Sequence, residues 1–500
     1  MINYKFKYIH LAMVGVIMLS SCKKNLNINT NPNVLTAAPI STVLTSVTTN
    51  VGFTGGSDMH RYSSLWVQQF SGQGAAGTQT LEYQIYNITG TDINNLWGSL
   101  YANTLMDCEY IIANSSGSPW YAGIAKLLKA WTYQHIVDMW GDVPFSEASL
   151  GVNNRTPKYD DDATIYPKLI TLIDQGIADL NAASSTLVPG TNETIYAGNR
   201  SRWIKFANTL KMRIYLHYSE INPALATSGI NGIINSGAPV IAANNENFSM
   251  AFFDAANAQN PISQFEARRL SQFFPNSFLV NLMNSKLDPR RPFYFTPFPY
   301  TATPTPASPY VGATPGQPQS INFSRMHTYL RGGPLKSALT VNGAGAITDV
   351  TTNHTAYTGA APIRMLTFAE YNFIRAEASL RFGSPGSAQA FFQAGITASM
   401  QEAGVATADI TSYLASYGTL SGTTAQQLRQ IIEEKYIASY GVALEPFNDW
   451  RRTGYPAISP VAGAVIPAIP TIFYYPQNEI NSNPNAKQKT SLTEKVFWDN

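Results

Sequence analysis

SPWYAGIAKLLKAWTYQHIVDMWGDVPFSEA, at Ser118–Ala148, is the stretch of sequence that decides the fold. Apolar residues recur in it at helical spacing and form two stripes, one ending at Trp131 and the other at Trp140. A helix with two apolar faces has to be covered on both sides. The sequence therefore predicts that this helix lies in the interior of the protein.

The ends of this helix carry recognisable signals. Ser118 is expected to cap the first turn, and Pro119 stands where a missing N–H group costs nothing. Gly141 is the residue best suited to the left-handed conformation that follows a last turn, and Pro144 prevents the helix from restarting. We therefore expect the chain to leave the buried helix abruptly at Gly141.

Further helices are predicted on both sides of this one, and they suggest hairpins. Asp92–Asn114 should pair with the buried helix across a short turn. Thr367 with Glu370 and Thr424 with Gln427 have the spacing of capping boxes. The remaining helices are expected at Val34–Val51, Asp162–Ala182, Ser201–Glu220, Thr367–Arg381 with a partner from Ser384 to about Ala403, Thr424–Tyr440 and Glu445–Trp450. Repeated hairpins without a fixed period predict an all-α, tetratricopeptide-like superhelix.

The segment from Asn284 to about Pro362 interrupts this pattern. Its proline density excludes long helices and central strands. Short strands or extended loops laid over the helical body are expected there, and long loops of this kind are usually functional or disordered. We therefore predict a single helical domain over residues 40–500 with a loop-rich insertion at about 284–362.

The N-terminus has the features of a targeting segment. Lys5 and Lys7 precede an apolar run that is too short to span a bilayer comfortably. The run ends in Leu-Ser-Ser before Cys22, which looks like a bacterial lipobox, although an ordinary signal peptide with a chance cysteine is the alternative. Residues 1–21 are thus predicted to be a lipoprotein signal peptide, and residues 22–39 a lipidated tether. The only other cysteine is Cys108, so no intramolecular disulfide is expected.

Composition narrows the class of ligand. Charged residues make up only 13% of the chain, about half the usual share, while aromatic residues reach 12%. Removing residues 1–21 leaves equal numbers of basic and acidic residues. No basic run suits a phosphate backbone, so nucleic-acid binding is not expected. A polar, weakly charged surface rich in Tyr and Trp favours neutral, hydroxylated ligands.

Six motifs in a fixed order resemble the SusD/RagB-like nutrient-binding lipoproteins of Bacteroidetes-type bacteria. They are the lipobox at Cys22, INTNPN at Ile28–Asn33, WGDVPFSEA at Trp140–Ala148, RWIKFANTLKMRIYL at Arg202–Leu216, FAEYNFIRAEA at Phe368–Ala378 and EEKYIASYG…DWRRTGYP at Glu433–Pro456. The resemblance implies an all-helical body with four tetratricopeptide-like units. It also implies a lipid-anchored, cell-surface position on the outer membrane and a partner, a TonB-dependent outer-membrane barrel of the SusC type.

Aromatic residues in loops are the candidates for ligand binding. A sugar ring stacks its apolar C–H face on Trp or Tyr, while amide and charged side chains meet its hydroxyls. Packing between loop and body is the alternative role for each of these aromatic side chains. The candidates are Trp66, Tyr83, Tyr86, Trp97, Tyr300 and Tyr310.

One acidic run invites a metal hypothesis. Asp160–Asp162 precedes a predicted helix, and three adjacent carboxylates could bind a cation. Complementation of the helix dipole is the commoner reason for such a run. We expect no metal, no cofactor and no catalytic residue.

These observations favour a non-enzymatic nutrient-binding lipoprotein that captures an oligosaccharide and delivers it to a transporter. A surface glycoside hydrolase is the main alternative, because 31 carboxylates guarantee chance pairs. However, no HExxH, GxSxG, phosphate loop or Cys/His cluster is present. A helical-repeat scaffold that binds only proteins is the third possibility.

Overall fold

A computed structural model describes residues 38–72, 77–269, 272–315, 321–348 and 356–499. The predictions for the signal peptide, for Cys22 and for nearly all of the tether fall outside these residues. The described α-helices are α1 Ile40–Gly56, α2 Asp58–Trp66, α3 Gln79–Gln84, α4 Asn94–Gly98, α5 Met106–Asn114, α6 Pro119–Trp140, α7 Asp162–Leu180, α8 Arg200–His217, α9 Pro223–Asn235, α10 Pro261–Arg268, α11 Ser277–Ser285, α12 Arg291–Tyr294, α13 Thr328–Arg331, α14 Phe368–Phe382, α15 Ala388–Ala403, α16 Thr407–Tyr417, α17 Thr424–Ala438, α18 Glu445–Thr453 and α19 Gln477–Ser482.

The strands are few and short, which confirms the all-α prediction. β1 (Phe70–Gly72) pairs antiparallel with β3 (Phe273–Pro275), and β2 (Phe248–Met250) pairs antiparallel with β4 (Ile363–Leu366). Each of the two sheets has two strands. Both pairs join segments far apart in sequence, so they fasten the loop-rich middle of the chain to the helical body.

The helix α6 lies in the interior, as its two apolar stripes predict. Both stripes are buried, Trp131 and Trp140 included. α7 packs antiparallel on α6, and the two backbones approach closely where Gly123 meets Gly176. A Cβ at Gly123 would lie 2.9 Å from the carbonyl oxygen of Gly176, a distance that real Cβ atoms do not adopt. These two glycines therefore allow the close packing of α6 on α7.

One end of α6 follows the prediction and the other does not. Gly141 adopts φ +71°, and its N–H donates to the Val137 carbonyl at 2.8 Å. Ser118 does not cap the helix with its side chain. Its hydroxyl oxygen instead accepts a hydrogen bond from the N–H of Leu187 at 3.2 Å. A distant loop lies over the start of α6 and uses the hydroxyl that the local pattern assigns to capping.

The predicted capping boxes are each partly wrong. The Thr367 hydroxyl accepts from the N–H of Glu370 at 3.1 Å, but the Glu370 carboxylate binds Arg213 instead of closing the box. The second box is formed by Thr423 and Gln426, one residue earlier than predicted. The partner of α14 begins at Ala388 with Ser387 as its cap, four residues later than the predicted start at Ser384.

Two other predicted segments can be compared with the structure. The helix predicted at Asp92–Asn114 contains a π-helical stretch, Ser99–Leu105, between α4 and α5. The Asn50 side chain on α1 donates to the Ser99 carbonyl at 3.0 Å, so tertiary contact accompanies this irregularity. The insertion at 284–362 contains only the short helices α12 and α13 and isolated bridges among its described residues, in line with its proline content.

A buried ionic network joins α8 to helices of the C-terminal half of the chain. Arg213 of α8 pairs with Glu370 of α14 at 2.7 Å, and Arg452 of α18 pairs with Glu377 of α14 at 2.8 Å. Burial raises the pKa of Glu377, but the guanidinium groups of Arg452 and Arg381 outweigh it and lower the pKa to about 2. Three of the motifs that carry the family resemblance meet in this network, which also contains Lys435, Glu445 and Asp449.

Candidate functional site

A cleft of about 640 Å³ lies between α1, the segment 191–197, the start of α8 and the loop that follows β2. We call it the α1 cleft. Its floor consists of apolar side chains, and Met250, Tyr196 and Phe252 are all buried there. The volume and the apolar floor are typical of small-molecule binding sites.

The floor is held by contacts with the core. The Tyr196 hydroxyl donates to the Glu246 carbonyl at 2.9 Å, and its ring meets Trp203 edge-on at 5.2 Å. Met250 lies against α1 at Gly52, where a Cβ would come within 2.2 Å of its sulfur. The floor is therefore a fixed part of the body.

One wall of the cleft is a turn organised by Glu193. Its carboxylate accepts hydrogen bonds from the N–H groups of Tyr196 and Gly198 at 2.9 and 3.0 Å, and from the indole N–H of Trp203 at 3.1 Å. Burial raises the pKa of this carboxyl, and the hydrogen bonds from those donors lower it in part. Gly198 has φ +76°, and a Cβ there would lie 2.1 Å from the Pro189 carbonyl oxygen, so only glycine fits. Glu193 is thus committed to the architecture of the wall.

Two phenylalanine rings stand at the rim of the cleft. Phe53 on α1 is 46% exposed, and Phe253 in the loop after β2 is 62% exposed. The loop is fixed by a hydrogen bond from the Phe253 N–H to the Ala258 carbonyl at 2.8 Å, and Asn257 adopts φ +64° within it. Single exposed apolar residues are ordinary, but two rings at one cleft form a surface on which a ligand can stack.

Polar side chains complete the lining. Arg202, Asn257 and Gln259 border the same cleft as the two rings. The Arg202 guanidinium makes no hydrogen bond or ion pair with any residue that the structure describes, so its donors are available to a ligand. Glu193 is the only carboxylate among the described residues that line the cleft. An acid/base pair for glycoside hydrolysis needs two carboxyl groups. Among the described lining residues the cleft has one, Glu193, and its oxygens already accept hydrogen bonds from the wall.

The structure places four of the predicted aromatic side chains in the core. Trp66, Tyr83, Tyr86 and Trp97 are at most 9% exposed. The indole N–H of Trp66 donates to the Tyr83 carbonyl at 3.1 Å, and its ring lies 4.5 Å from that of Phe473. The Trp97 ring meets Trp140 edge-on at 5.0 Å. In this structure none of the four offers an open face to a sugar, because other side chains cover their rings.

The two predicted residues of the insertion differ from each other. Tyr310 is buried, and its hydroxyl donates to the Thr305 carbonyl at 2.9 Å. Tyr300 is half-buried, and its hydroxyl accepts from the Leu339 N–H at 3.3 Å. Tyr300 therefore remains the member of the predicted set with part of its side chain open to solvent. None of the six lines the α1 cleft.

Sequence reasoning missed the residues at the rim of the α1 cleft. Phe53 was missed because the predicted helix ends at Val51, whereas α1 continues to Gly56 and places Phe53 on the face that carries Ser46, Thr49 and Asn50. An aromatic residue on an otherwise hydroxylated face is unusual. Phe253 and Arg202 come from different segments, and no spacing in the sequence joins them.

The acidic run Asp160–Asp162 acts in local structure. The Asp161 side chain caps α7 by accepting from the Thr164 N–H at 3.1 Å, and Asp160 accepts from the N–H groups of Phe145 and Ser146. Carboxylate oxygens of Asp142, Asp161 and Asp162 lie within 4.8 Å of one another. Burial, the largest influence on Asp162, raises its pKa to about 6. Each of the three carboxylates in the run therefore accepts hydrogen bonds within the protein, Asp162 from the Phe497 N–H at 2.8 Å.

Comparison with known proteins identifies the class. The family model for SusD-like proteins, described as "Starch-binding associating with outer membrane", matches residues 32–476. The chain therefore belongs to the SusD-like family, which is associated with the outer membrane and binds carbohydrate. No helix among the described residues is long and apolar enough to cross a membrane.

Solved structures share the fold over nearly the whole chain. A chitin-binding protein is 26% identical, with 92% of this chain and 100% of that chain covered and a TM-score of 0.75. A chitin-binding SusD homolog from Flavobacterium johnsoniae is 20% identical, with 92% and 98% covered and a TM-score of 0.74. A SusD-like protein from Bacteroides thetaiotaomicron is 22% identical, with 92% and 99% covered and a TM-score of 0.73. No curated protein matches the chain.

Proposed function

We propose that this protein is a non-enzymatic, cell-surface lipoprotein that captures oligosaccharide in the α1 cleft and delivers it to a SusC-like, TonB-dependent outer-membrane transporter. Membership of the SusD-like family supports glycan binding in general. The observation that carries the choice of site is the pair of exposed rings, Phe53 and Phe253, beside the free donors of Arg202.

The chemistry of the cleft favours a neutral sugar with carbonyl or hydroxyl acceptors. The apolar faces of sugar rings can cover Phe53 and Phe253, while Arg202 and Asn257 donate to ring substituents. The acetamido group of N-acetylglucosamine supplies a carbonyl acceptor of this kind. Because a relative of 26% identity is a chitin-binding protein, chitin oligosaccharides are the first ligands to test.

Anchoring and partner follow from the family and the N-terminal sequence. Acylation of Cys22 would hold the protein at the outer membrane, with residues 22–39 as the tether and residues 40–500 as one helical domain. A SusC-like barrel is the proposed partner because the family associates with the outer membrane. Tyr300 is kept as a second proposed contact, since its half-buried ring lies on the loop-rich insertion.

Phe253→Ala is expected to weaken the binding of a chitin disaccharide roughly tenfold, because it removes about 1–2 kcal/mol of apolar contact. Isothermal titration calorimetry of the mature protein in detergent measures the change. Leu150→Ala is the matched control, since Leu150 is also exposed, at 50%, and does not line the cleft.

Three other results would favour a different site or a different function. Full affinity in Phe253→Ala with loss in Tyr300→Ala would move the site to the insertion. Release of reducing ends by the wild-type protein would favour the glycoside hydrolase. Absence of binding to every glycan tested, together with firm binding to a protein partner, would favour the scaffold.

A further inference from the structure

A second cavity, of about 530 Å³, opens along α1 beside the cleft. We call it the α1 groove. α1 supplies one side from Ser41 to Phe53, and Asn192 lies on the other. Thr49 and Phe53 line both the groove and the α1 cleft, so the two cavities meet at the exposed Phe53 ring.

Apart from the Phe53 ring, the side chains that line the groove carry uncharged hydroxyl or amide groups. None of its lining residues carries a charge, and α1, ISTVLTSVTTNVGFTGG, contains no charged residue at all. The exposed face of a surface helix normally carries charged residues, and Thr is a poorer helix former than Lys or Glu. Thr42 and Thr49 on this face therefore stabilise the helix less than Lys or Glu would, and they present hydroxyl groups to the groove in place of charges.

Part of the groove is fixed and part of it is open. Thr45 donates to the Asn192 carbonyl at 2.7 Å, and Asn50 donates to the Ser99 carbonyl at 3.0 Å, so these side chains are held in place. Thr42 and Thr49 are exposed, and their hydroxyls have no hydrogen-bond partner among the residues that the structure describes. The exposed hydroxyl groups on these rigid walls can replace their hydrogen bonds to water with hydrogen bonds to a neutral ligand. No ion has to lose its hydration in this exchange.

The dimensions suit a chain-like ligand. The helical rise places Ser41 about 18 Å from Phe53 along the axis of α1. A ligand held at Phe253 can therefore extend past Phe53 and along the helix. The lining residues carry no charge, and the Asp107 carboxylate that accepts a hydrogen bond from Ser46 at 3.0 Å would repel an anionic polymer.

We propose that the α1 groove is an additional binding subsite for a linear, neutral oligosaccharide, whose sugar rings beyond the one in the α1 cleft lie along α1 with their hydroxyls on Thr49 and Thr42. The protein then contacts several sugar rings along the oligosaccharide and not only the ring at one end. This proposal rests on the proposed function, because the first ring occupies the α1 cleft.

The test compares chitin oligosaccharides of two to six units by titration calorimetry on the mature protein in detergent. The wild-type affinity is expected to rise about tenfold or more with chain length, as longer ligands reach the groove. Thr42→Glu/Ser46→Ala alters only the part of the groove that the cleft does not share. This variant should bind the disaccharide like the wild type and lose the gain with length. Thr411→Glu, at another exposed helical threonine, is the matched control.

The failure of this proposal differs from the failure of the proposed function. Wild-type affinity that is independent of length, or a gain with length that Thr42→Glu/Ser46→Ala retains, overturns the groove while disaccharide binding and its loss in Phe253→Ala still support the cleft. Disaccharide binding that Phe253→Ala leaves unchanged overturns the cleft and the groove together. The groove variant could also keep the affinity for every glycan but no longer co-purify with a barrel. That result would make α1 a contact surface for the protein partner, and it would overturn the subsite.

Discussion

Arg452→Met is expected to lower the free energy of unfolding by about 3–5 kcal/mol, because it removes the main counter-charge of two buried carboxylates, which keep only Arg381 and Lys435 as cationic partners. Arg452 is fully buried, and its guanidinium binds the carboxylates of Glu377 at 2.8 Å and Asp449 at 3.1 Å. The low pKa of Glu377, about 2, is maintained chiefly by Arg452 against the effect of burial. Methionine preserves much of the side-chain volume, so the loss is mainly electrostatic.

Urea unfolding followed by circular dichroism measures this change. Arg429→Met is the control, since Arg429 pairs with Glu433 at 2.7 Å on the surface and its side chain is 55% exposed. Exposed pairs contribute at most about 1 kcal/mol, so this variant should remain close to the wild type. Equal losses in the two variants would contradict the structural role assigned to the buried network.

Trp66→Ala is expected to destabilise the protein by about 3–5 kcal/mol, the usual cost of removing a fully buried indole. Trp66 has no exposed surface, and it lies against Phe473 and Phe447. Because its ring is covered, the affinity of the folded variant for a chitin oligosaccharide should remain unchanged. The prediction separates packing from ligand stacking, the two roles that the sequence leaves open for this residue.

Thermal unfolding and titration calorimetry on the same preparation provide both quantities. Tyr300→Ala is the comparison, because Tyr300 is only half-buried and its removal should cost less stability. A Trp66→Ala protein with nearly normal stability and much weaker sugar binding would restore Trp66 as a ligand contact.

The helical body was predictable because its determinants are local. The apolar stripes of Ser118–Ala148 and the glycine at its end define α6 without reference to any other segment. Arg213 shows the limit of such reasoning. Its charge favours a surface position in isolation, yet it is fully buried because Glu370, distant in sequence, neutralises it. The prediction that Ser118 caps α6 failed for the same reason, because its hydrogen-bond partner Leu187 lies in a loop that is distant in sequence.

The candidate site was less predictable for a related reason. Loop aromatics flanked by polar residues are candidates for ligand binding or for packing, and Trp66 and Trp97 belong to one aromatic core with Trp140 and Phe473. Burial depends on which segments pack together, and a single sequence does not reveal this for loops. Phe53 was missed for a different reason, because the predicted helix ended at Val51 and α1 continues to Gly56.

A crystal structure of the protein with a chitin hexasaccharide tests the central claim most directly. The account predicts an intact oligosaccharide with one ring against Phe253, the chain passing Phe53, and further rings along α1 toward Thr42. A ligand bound elsewhere with the α1 cleft unoccupied, or a cleaved product in the cleft, would contradict it.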